Sequence, residues 1–304
     1  MCGFLVVGSS ELELQVFNDA LNQAAYRGPD HQHVSINNGI TWGFNRLSIM
    51  DLSSKGNQPF VYKDCVLVCN GEVYNYHSLK AMLETDYTFK SGSDCEVLIP
   101  LYHKYGIEIL CKFLDAEFAM VIYDAKKDKI LAARDPMGIR PMFYGYHKED
   151  GKICFASEAK GLFPLCQEIM PFPPGHYYED GKFICYNDLS NPKTINNDDL
   201  ETIAINLRLK LEKAVEKRLQ SDAPIGYLLS GGLDSSLVCA IAARLNDQPI
   251  KTFAIGMDTD PIDLKYAKQV ADYLGTDHTE VIMTKEDLLE NLRDVIFHLE
   301  TYDI

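Results

Sequence analysis

Cys2, directly after the initiator methionine, is the residue of this sequence best suited to act as a nucleophile. Once Met1 is removed, one residue carries both a thiol and a free α-amine. A free thiol has a pKa of about 8.5 and an α-amine a pKa of about 7.7–8.0, so the amine can accept the thiol proton, directly or through a water molecule. The pair indicates an amino-terminal nucleophile that carries its own base. For an isolated cysteine, a small apolar packing residue is the alternative interpretation.

A loop rich in glycine and serine is the second place where the residue types indicate chemistry. The loop consists of Ser230, Gly231, Gly232, Leu233, Asp234, Ser235 and Ser236. It follows an apolar run and precedes a helical pattern. Two glycines let the backbone turn sharply and approach a ligand, and the amides at a helix amino terminus attract phosphate groups. The loop has no GxxxxGK sequence, so it is not a Walker A loop. A tight strand-to-helix turn with serine as the N-cap is the alternative.

The composition excludes several classes of protein. The chain has 304 residues, of which 46% are hydrophobic, and this is enough for two packed domains. No run of ~20 apolar residues could span a membrane, and the start lacks the basic region of a signal peptide, so we expect a cytoplasmic protein without a membrane partner. The net charge of −15 argues against nucleic-acid partners. Nine cysteines without CxxC pairs fit reduced thiols better than a disulfide framework or a zinc site.

The elements that position Cys2 are predicted to be mostly strands. Residues 3–8 indicate a buried strand, and residues 12–25 indicate a short amphipathic helix. Many short β-type runs separated by turn signals follow between residues 31 and 186, interrupted by one helical stretch at residues 94–113. Many hairpins with few helices predict antiparallel sheets packed together.

The elements around the glycine- and serine-rich loop follow a different pattern. Residues 187–199 are polar and rich in Asn and Asp, which predicts a linker. Residues 200–304 begin with a long amphipathic helix and then alternate strand, helix, strand, helix, strand. This order predicts a parallel sheet with covering helices.

The loop resembles the SGGxDS pyrophosphate-binding loop of the ATP-pyrophosphatase enzymes, which adenylate a carboxylate or carbonyl group and release pyrophosphate. The wider segment SDAPIGYLLSGGLDSS, followed by FAIGM, is similar to the synthetase domain of glutamine-hydrolysing asparagine synthetases. The resemblance implies aspartate as the acceptor and ATP bound by the loop, with further nucleotide contacts at Leu229 and Ile255. It also implies Mg²⁺, because a bound triphosphate needs charge neutralisation. Asp234 is the acid best placed to help position that ion.

Such enzymes obtain ammonia by cleaving glutamine at an amino-terminal cysteine, so the first half should hold the necessary groups. The substrate carboxylate, its ammonium group and the oxyanion each need a partner. Arg46 offers a planar fork for a carboxylate, Asn70-Gly71-Glu72 offers an amide, a backbone N–H and a carboxylate, and Asp94 offers a second carboxylate. Each also has a structural alternative. These are a surface arginine, a two-residue hairpin turn at Asn70-Gly71, and a capping box of Ser93 with Glu96.

Residues 2–186 resemble the class II glutamine amidotransferase domain, which has an amino-terminal-nucleophile hydrolase fold. The resemblance rests on CG, RGPD, RLSI, NGEVYN, GSDCEV, ARDPMGIRP, FASE and FPPG. It implies that Cys2 is the nucleophile and that Asn70 and the N–H of Gly71 form the oxyanion hole.

The same resemblance implies a binding site for glutamine. Arg46 would bind the carboxylate of glutamine, while Glu72 and Asp94 would bind its ammonium group. Backbone groups of four residues would line the pocket: Leu47, Ser48, Ile49 and Met50. Two departures stand out, because Tyr26 replaces the common His before RGPD, and Ala116-Glu117 replaces the usual Gly-Met.

The expected fold is an α+β amino-terminal-nucleophile hydrolase sandwich of antiparallel sheets over residues 2–186, followed by a partial α/β parallel-sheet ATP-pyrophosphatase domain over residues 200–304. The expected reaction forms asparagine from aspartate, glutamine and ATP, with glutamate, AMP and pyrophosphate as the other products. A homodimer is compatible with the sequence. The sequence ends before SGEGSDE, the second nucleotide loop of the resembled family, so a fragment, a split gene product or a degraded enzyme is expected. A glutaminase with a vestigial synthetase half and a module that binds glutamine or nucleotide without turnover remain as alternatives. The β-lactam synthetases share this architecture but have typically lost the cysteine.

Overall fold

The computed structural model describes residues 1–9, 12–192, 194–259 and 261–301. The chain divides into two compact units, Met1–Ile195 and Asn196–Ile304, and this division falls inside the segment predicted as a linker. No helix among the described residues combines the length and the apolar composition that a bilayer span requires.

The first unit contains two six-stranded antiparallel sheets. Its strands in chain order are β1 (Gly3–Val7), β2 (His31–Asn37), β3 (Ile40–Arg46), β4 (Phe60–Tyr62), β5 (Cys65–Val73), β6 (Ala116–Asp124), β7 (Lys129–Arg134), β8 (Phe143–His147), β9 (Ile153–Ala156), β10 (Cys166–Pro171), β11 (His176–Glu179) and β12 (Lys182–Cys185). One sheet has the order β10-β8-β9-β1-β3-β2, and the other has the order β12-β11-β7-β6-β5-β4. Strand β1, which follows Cys2, therefore lies inside its sheet between β9 and β3.

Helices cover the outer faces of both sheets. They are α1 (Leu14–Asn22), α2 (Tyr76–Leu83) and α3 (Leu98–Phe113). Phe4 and Val6 of β1 point into an apolar cluster shared with Val68 of β5, so this cluster lies between the sheets. Leu5 and Val7 point the other way, into a cluster with α1. Strand β1 is thus buried on both faces, as its uninterrupted apolar sequence predicts.

Two helical features of the first unit differ from the prediction. The helix predicted at residues 94–113 begins with a 3₁₀ turn, Asp94–Val97, and the helix that follows is kinked at Gly106, where φ is +81°. Helix α2 was not predicted, although its buried Tyr76, Leu79 and Leu83 follow the helical spacing. Three more 3₁₀ turns are at Ala25–Arg27, Ser54–Gly56 and Ala159–Gly161.

The second unit is built on a parallel sheet. Its elements are α4 (Leu200–Lys217), β13 (Gly226–Leu228), α5 (Leu233–Leu245), β14 (Lys251–Met257), α6 (Ile262–Leu274), β15 (Asp277–Met283) and α7 (Lys285–Leu299). The strand order is β13-β14-β15. Alternate residues of β14, Thr252 and Ala254, are buried, while Ile255 is 61% exposed. An antiparallel sandwich followed by a parallel α/β sheet is the architecture predicted from sequence, and it is confirmed.

Candidate active site

Cys2 lies at the start of β1, with its side chain against the loop that follows β3. Its Sγ is 3.4 Å from the backbone nitrogen of Leu47 and 3.5 Å from the carbonyl oxygen of the same residue. Burial raises the pKa of the Cys2 thiol and lowers the pKa of the Met1 amine. A thiol in this position stays protonated at neutral pH, and the nearby amine is shifted toward its neutral form, which can accept a proton.

Arg27 fixes the backbone of Cys2. Its Nε donates to the Cys2 carbonyl oxygen at 2.9 Å, and its Nη1 pairs with Oε1 of Glu158 at 3.0 Å. The two side chains of this ion pair are 9% and 5% exposed. Lys160 pairs with the other oxygen of Glu158 at 2.9 Å, and the hydroxyl of Tyr26 also donates to Glu158. From sequence alone neither Arg27 nor Glu158 receives a role, although both lie in the matched motifs RGPD and FASE.

Arg46, at the end of β3, is buried, with 5% of its surface exposed. The alternative of a surface arginine is therefore wrong. Its Nη1 donates to the carbonyl oxygen of Ser53 at 2.7 Å and to Oδ1 of Asn57 at 2.6 Å, while its Nη2 donates to the carbonyl oxygens of Met50 and Asp51. The guanidinium therefore organises the loop that follows β3 through these four contacts.

The loop residues predicted to line a glutamine pocket, Leu47, Ser48, Ile49 and Met50, are all half-buried. The backbone N–H of Ser48 donates to Oδ2 of Asp30 at 2.7 Å, and the N–H of Asp30 donates to the carbonyl of Arg46 at 3.0 Å. The RGPD segment and the loop after β3 thus hold each other next to Cys2.

Asn70-Gly71-Glu72 lies inside β5 and does not form a turn. These residues pair in register with Ala119, Phe118 and Glu117 of β6, so the hairpin alternative is wrong. The Nδ2 of Asn70 is buried and has no hydrogen-bond partner in the described part of the chain. A Cβ at Gly71 would lie 2.8 Å from the carbonyl oxygen of Glu117, which explains the glycine.

Asp94 begins the 3₁₀ turn before α3, and its Oδ2 accepts a 2.6 Å hydrogen bond from the N–H of Val73. The capping-box alternative for this segment is wrong, because the Ser93 side chain caps nothing and Glu96 accepts hydrogen bonds from the N–H groups of Lys90 and Ser91 instead. Asp94 is 5% exposed, and burial raises its pKa.

Glu72 and Asp94 form an acidic pair next to Cys2. Burial, followed by the charge of Asp94, raises the pKa of Glu72 to about 8. The charge of Glu72 in turn raises the pKa of both Cys2 and the Met1 amine. The structure thus brings Cys2, Glu72 and Asp94 into one electrostatic neighbourhood, which suits a substrate that carries a positive charge.

The predicted nucleotide loop lies between β13 and α5 in the second unit. Gly231 has a φ of +77°, and a Cβ there would come within 2.5 Å of the backbone of Tyr266. The hydroxyls of Ser230 and Ser235 are 3.0 Å apart, and the buried Oγ of Ser236 has no hydrogen-bond partner among the described residues. Gly232 is the N-cap of α5, so amides of the first helical turn are open to an anion.

The flanking positions of the predicted nucleotide site differ in exposure. Leu229 is 1% exposed and lies in the core of the second unit, whereas Ile255 is largely exposed. Asp234 lies in the first turn of α5 and is exposed. Within the described ranges, no group of three or more His, Cys, Asp or Glu side chains could hold a metal ion.

Two family models match the chain. Residues 1–175 match the glutamine amidotransferase domain, and residues 206–304 match asparagine synthase. Among solved structures, a glutamine phosphoribosylpyrophosphate amidotransferase from B. subtilis aligns over 100% of this chain and 94% of its own, with a TM-score of 0.54 and 16% identity. An allosteric regulatory enzyme of purine biosynthesis aligns over 93% of this chain and 80% of its own, with a TM-score of 0.53 and 15% identity. These structures share the fold.

Curated relatives cover both units of the chain. A probable glutamine-hydrolysing asparagine synthetase of Schizosaccharomyces pombe is 40% identical over 100% of this chain and 59% of its own length. Asparagine synthetase B of Escherichia coli is 41% identical over 92% of this chain and 53% of its own length. The enzyme of Zea mays is 40% identical over 100% of this chain and 54% of its own. The chain therefore spans between half and three-fifths of the length of these relatives.

Proposed function

The chain belongs to the glutamine amidotransferase family, and on that basis we propose that its first unit hydrolyses the side-chain amide of glutamine with Cys2 as the nucleophile. The buried and unpartnered Nδ2 of Asn70 is the observation that carries the proposal. A buried amide nitrogen without an acceptor costs about 1–3 kcal/mol, and this cost is recovered when an oxyanion accepts its hydrogen bond.

Removal of Met1 would give Cys2 its own α-amine. Burial lowers the pKa of the Met1 amine, and burial of the Cys2 amine would likewise favour its neutral form, which can take the thiol proton. The thiolate then attacks the amide carbon of glutamine and forms a tetrahedral oxyanion, which Asn70 and the N–H of Gly71 would stabilise. The amine returns its proton to the leaving nitrogen, and ammonia departs.

The γ-glutamyl thioester left on Cys2 is then cleaved by water. The same amine removes a proton from the water, hydroxide adds to the thioester carbon, and glutamate leaves while the thiol is restored. Arg27 would keep the Cys2 backbone in position through both steps, because its Nε already binds the Cys2 carbonyl oxygen.

The substrate's two charged groups would bind on opposite sides of Cys2. The ammonium group would lie between Glu72 and Asp94, whose pKa values are raised first of all by burial, so that a bound positive charge would favour their ionised forms. The carboxylate would bind near Arg46 and the backbone groups of residues 47–50. Since the Arg46 guanidinium holds loop carbonyls, a carboxylate would have to share or displace these contacts.

The second unit would use the ammonia. By likeness to the curated relatives, we propose that loop 230–236 binds the phosphates of ATP, that aspartate is adenylated on its β-carboxylate, and that ammonia displaces AMP to give asparagine. The positive φ of Gly231 and the unpartnered hydroxyl of Ser236 support a loop shaped around an anion. Mg²⁺ would neutralise the triphosphate. The phosphates would hold most of the ion, with help from Asp234.

All nine cysteines are free, which supports a cytoplasmic location.

The test uses the 304-residue chain with glutamine, aspartate and Mg-ATP, and follows glutamate, pyrophosphate and asparagine together. Sequencing the amino terminus reports Met1 removal. Cys2→Ala is the variant, and Cys185→Ala, at an exposed cysteine on β12, is the matched control. We expect glutamate production that Cys2→Ala abolishes and Cys185→Ala leaves unchanged. Glutamate without asparagine would restrict the activity to the first unit, and no glutamate from folded, Met1-free protein would refute the nucleophile.

A further inference from the structure

Glu117 lies directly opposite Glu72 on the neighbouring strand. The antiparallel register of β5 and β6 pairs Glu72 with Glu117. Directly opposed residues share one face of the sheet, with Cβ atoms about 4.5–5.5 Å apart, and like charges at such positions repel. Glu117 is only 14% exposed at its side chain, so water screens this repulsion weakly. A second carboxylate at this place therefore needs a partner.

Arg140 and Tyr74 supply that partner. Nη2 of Arg140 lies 3.8 Å from Oε1 of Glu117, and the Arg140 side chain is 8% exposed. The hydroxyl of Tyr74 donates to the same carboxylate oxygen. The Nε of Arg140 is buried without a hydrogen-bond partner in the described part of the chain. Glu117 is thus the acid to which the guanidinium is committed.

The charges that act on Glu72 come from several elements. Asp94 of the 3₁₀ turn and Glu117 of β6 raise the pKa of Glu72, whereas Arg140 and the amino terminus before β1 lower it. The thiols of Cys95 in the 3₁₀ turn and of Cys2 before β1 are titratable neighbours as well, since the charge of Glu72 raises the pKa of both. Before any substrate binds, Glu72 is therefore acted on by two other carboxyl groups and by two positively charged groups.

We propose that Glu117 is a positioning residue for glutamine. It holds Arg140, so that this guanidinium does not neutralise Glu72, and it thereby leaves Glu72 and Asp94 available to the substrate's α-ammonium group. The inference rests on the proposed glutaminase function. Without Glu117, Arg140 would turn to Glu72 and compete with the substrate for the same carboxylate.

If Glu117 is a positioning residue, its substitution should have two kinetic effects that the loss of a purely structural residue would not have. Glu72 has a pKa of about 8, so it is mostly protonated at pH 7 and must lose a proton when the ammonium group binds. In Glu117→Gln, the loss of a like charge and the freed Arg140 both lower the pKa of Glu72. The rise of 1/KM with pH then moves to lower pH. Above that rise, KM for glutamine is higher than in the wild type because Arg140 occupies Glu72.

The experiment measures kcat and KM for glutamine hydrolysis separately from about pH 6 to about pH 9. Glu117→Gln is compared with Glu117→Asp, which keeps the charge, and with Glu149→Gln at an exposed site between β8 and β9. In Glu117→Gln we expect the rise of 1/KM to occur about 1 pH unit lower than in the wild type. At high pH, KM should be roughly fivefold higher, while kcat should stay within about twofold of the wild-type value. Glu117→Asp should restore most of the wild-type profile.

The outcomes distinguish a failure of the proposed role of Glu117 from a failure of the proposed glutaminase function. Wild-type protein without Cys2-dependent glutamate release would contradict the proposed function itself. Active wild-type protein with the same 1/KM profile and the same KM in Glu117→Gln would overturn the role of Glu117 alone. If Glu117→Gln does not fold, Glu117→Met is tested in its place, since methionine is similar in length to glutamate and carries no charge. The same two shifts are expected of it, and their absence would also overturn the proposal.

Discussion

The side chain of Asn70 shows the conflict between stability and activity at the scale of one residue. Its Nδ2 is buried in β5 without an acceptor, next to a glycine that the neighbouring strand leaves no room to replace. Buried donors are satisfied in most folded proteins, so this exception needs an explanation, and an oxyanion of the substrate is the acceptor that we propose.

We predict that Asn70→Ala lowers kcat for glutamine hydrolysis by about 10²–10³-fold, because one oxyanion donor is lost. The unfolding free energy should not fall and should rise by up to about 1–3 kcal/mol, because the variant removes a buried donor that has no acceptor in the folded protein. Steady-state kinetics and urea unfolding measure the two quantities. Asn191→Ala, at an exposed asparagine, should change neither, and equal activity in the two variants would remove Asn70 from the oxyanion hole.

Sequence motifs predict which residues belong to the candidate site, but not which contacts those residues make. The segment Asn70-Gly71 carries the strongest short-range turn signal, yet its pairing with β6 keeps it extended, since long-range strand pairing outweighs a local preference. Arg46 was predicted to bind a carboxylate, but the carbonyls that occupy its guanidinium come from a loop whose path depends on the fold. Arg27 and Glu158, 131 positions apart in sequence, meet only in three dimensions.

At the scale of elements, the 3₁₀ turn Ala25–Arg27 packs closely on the end of β3. Gly28 follows this turn, and a Cβ there would lie 2.2 Å from the carbonyl carbon of Asn45. The neighbouring Pro29 forms a bridge with Arg46. The RGPD segment can therefore carry Arg27 to the Cys2 carbonyl only if its glycine has no side chain.

We predict that Gly28→Ala costs about 3 kcal/mol of unfolding free energy, because backbone atoms of β3 must move. Glutaminase kcat should fall as well, since Arg27 is displaced together with the turn. Gly151→Ala is the control, because its φ of +67° is unfavourable for alanine but its Cβ meets nothing within 4 Å. It should cost about 1 kcal/mol and leave kcat unchanged. Equal costs in guanidinium unfolding would contradict the close packing at Gly28.

The order and type of the elements could be predicted because hydrophobic periodicity is local to each segment. The short β-type runs between residues 31 and 186 and the strand–helix order of residues 200–304 predict the sheets of the two units. Helix α2 contains a tyrosine and two leucines at helical spacing, and this spacing is the sequence signal that predicts it. The start of α3 could not be predicted, because the Glu96 side chain turns inward to the backbone of the preceding loop instead of capping the helix.

At the scale of the whole molecule, the two units have separate apolar cores. Among the described residues, three buried clusters lie in Met1–Ile195 and one lies in Asn196–Ile304. A domain with its own core can fold by itself. The groups proposed for glutamine hydrolysis all belong to the first unit.

We predict that a protein of residues 1–195 folds cooperatively and hydrolyses glutamine with a kcat within about threefold of the full chain. Circular dichroism during thermal unfolding and a glutamate assay measure the two properties. The same piece with Cys2→Ala is the control for contaminating glutaminase. A folded but inactive piece would show that the second unit is required for the chemistry.

The place of β1 inside its sheet has a consequence for protein synthesis. The first strand to leave the ribosome pairs on one side with β9, whose residues are made about 150 positions later. At 5–20 residues per second, the side of β1 that faces β9 stays unpaired for roughly 10–30 s. The methionine aminopeptidase therefore has a limited period in which to expose Cys2, before β1 is enclosed between β3 and β9. An amino-terminal affinity tag would block this step, so a tag that preserves the nucleophile has to be placed elsewhere.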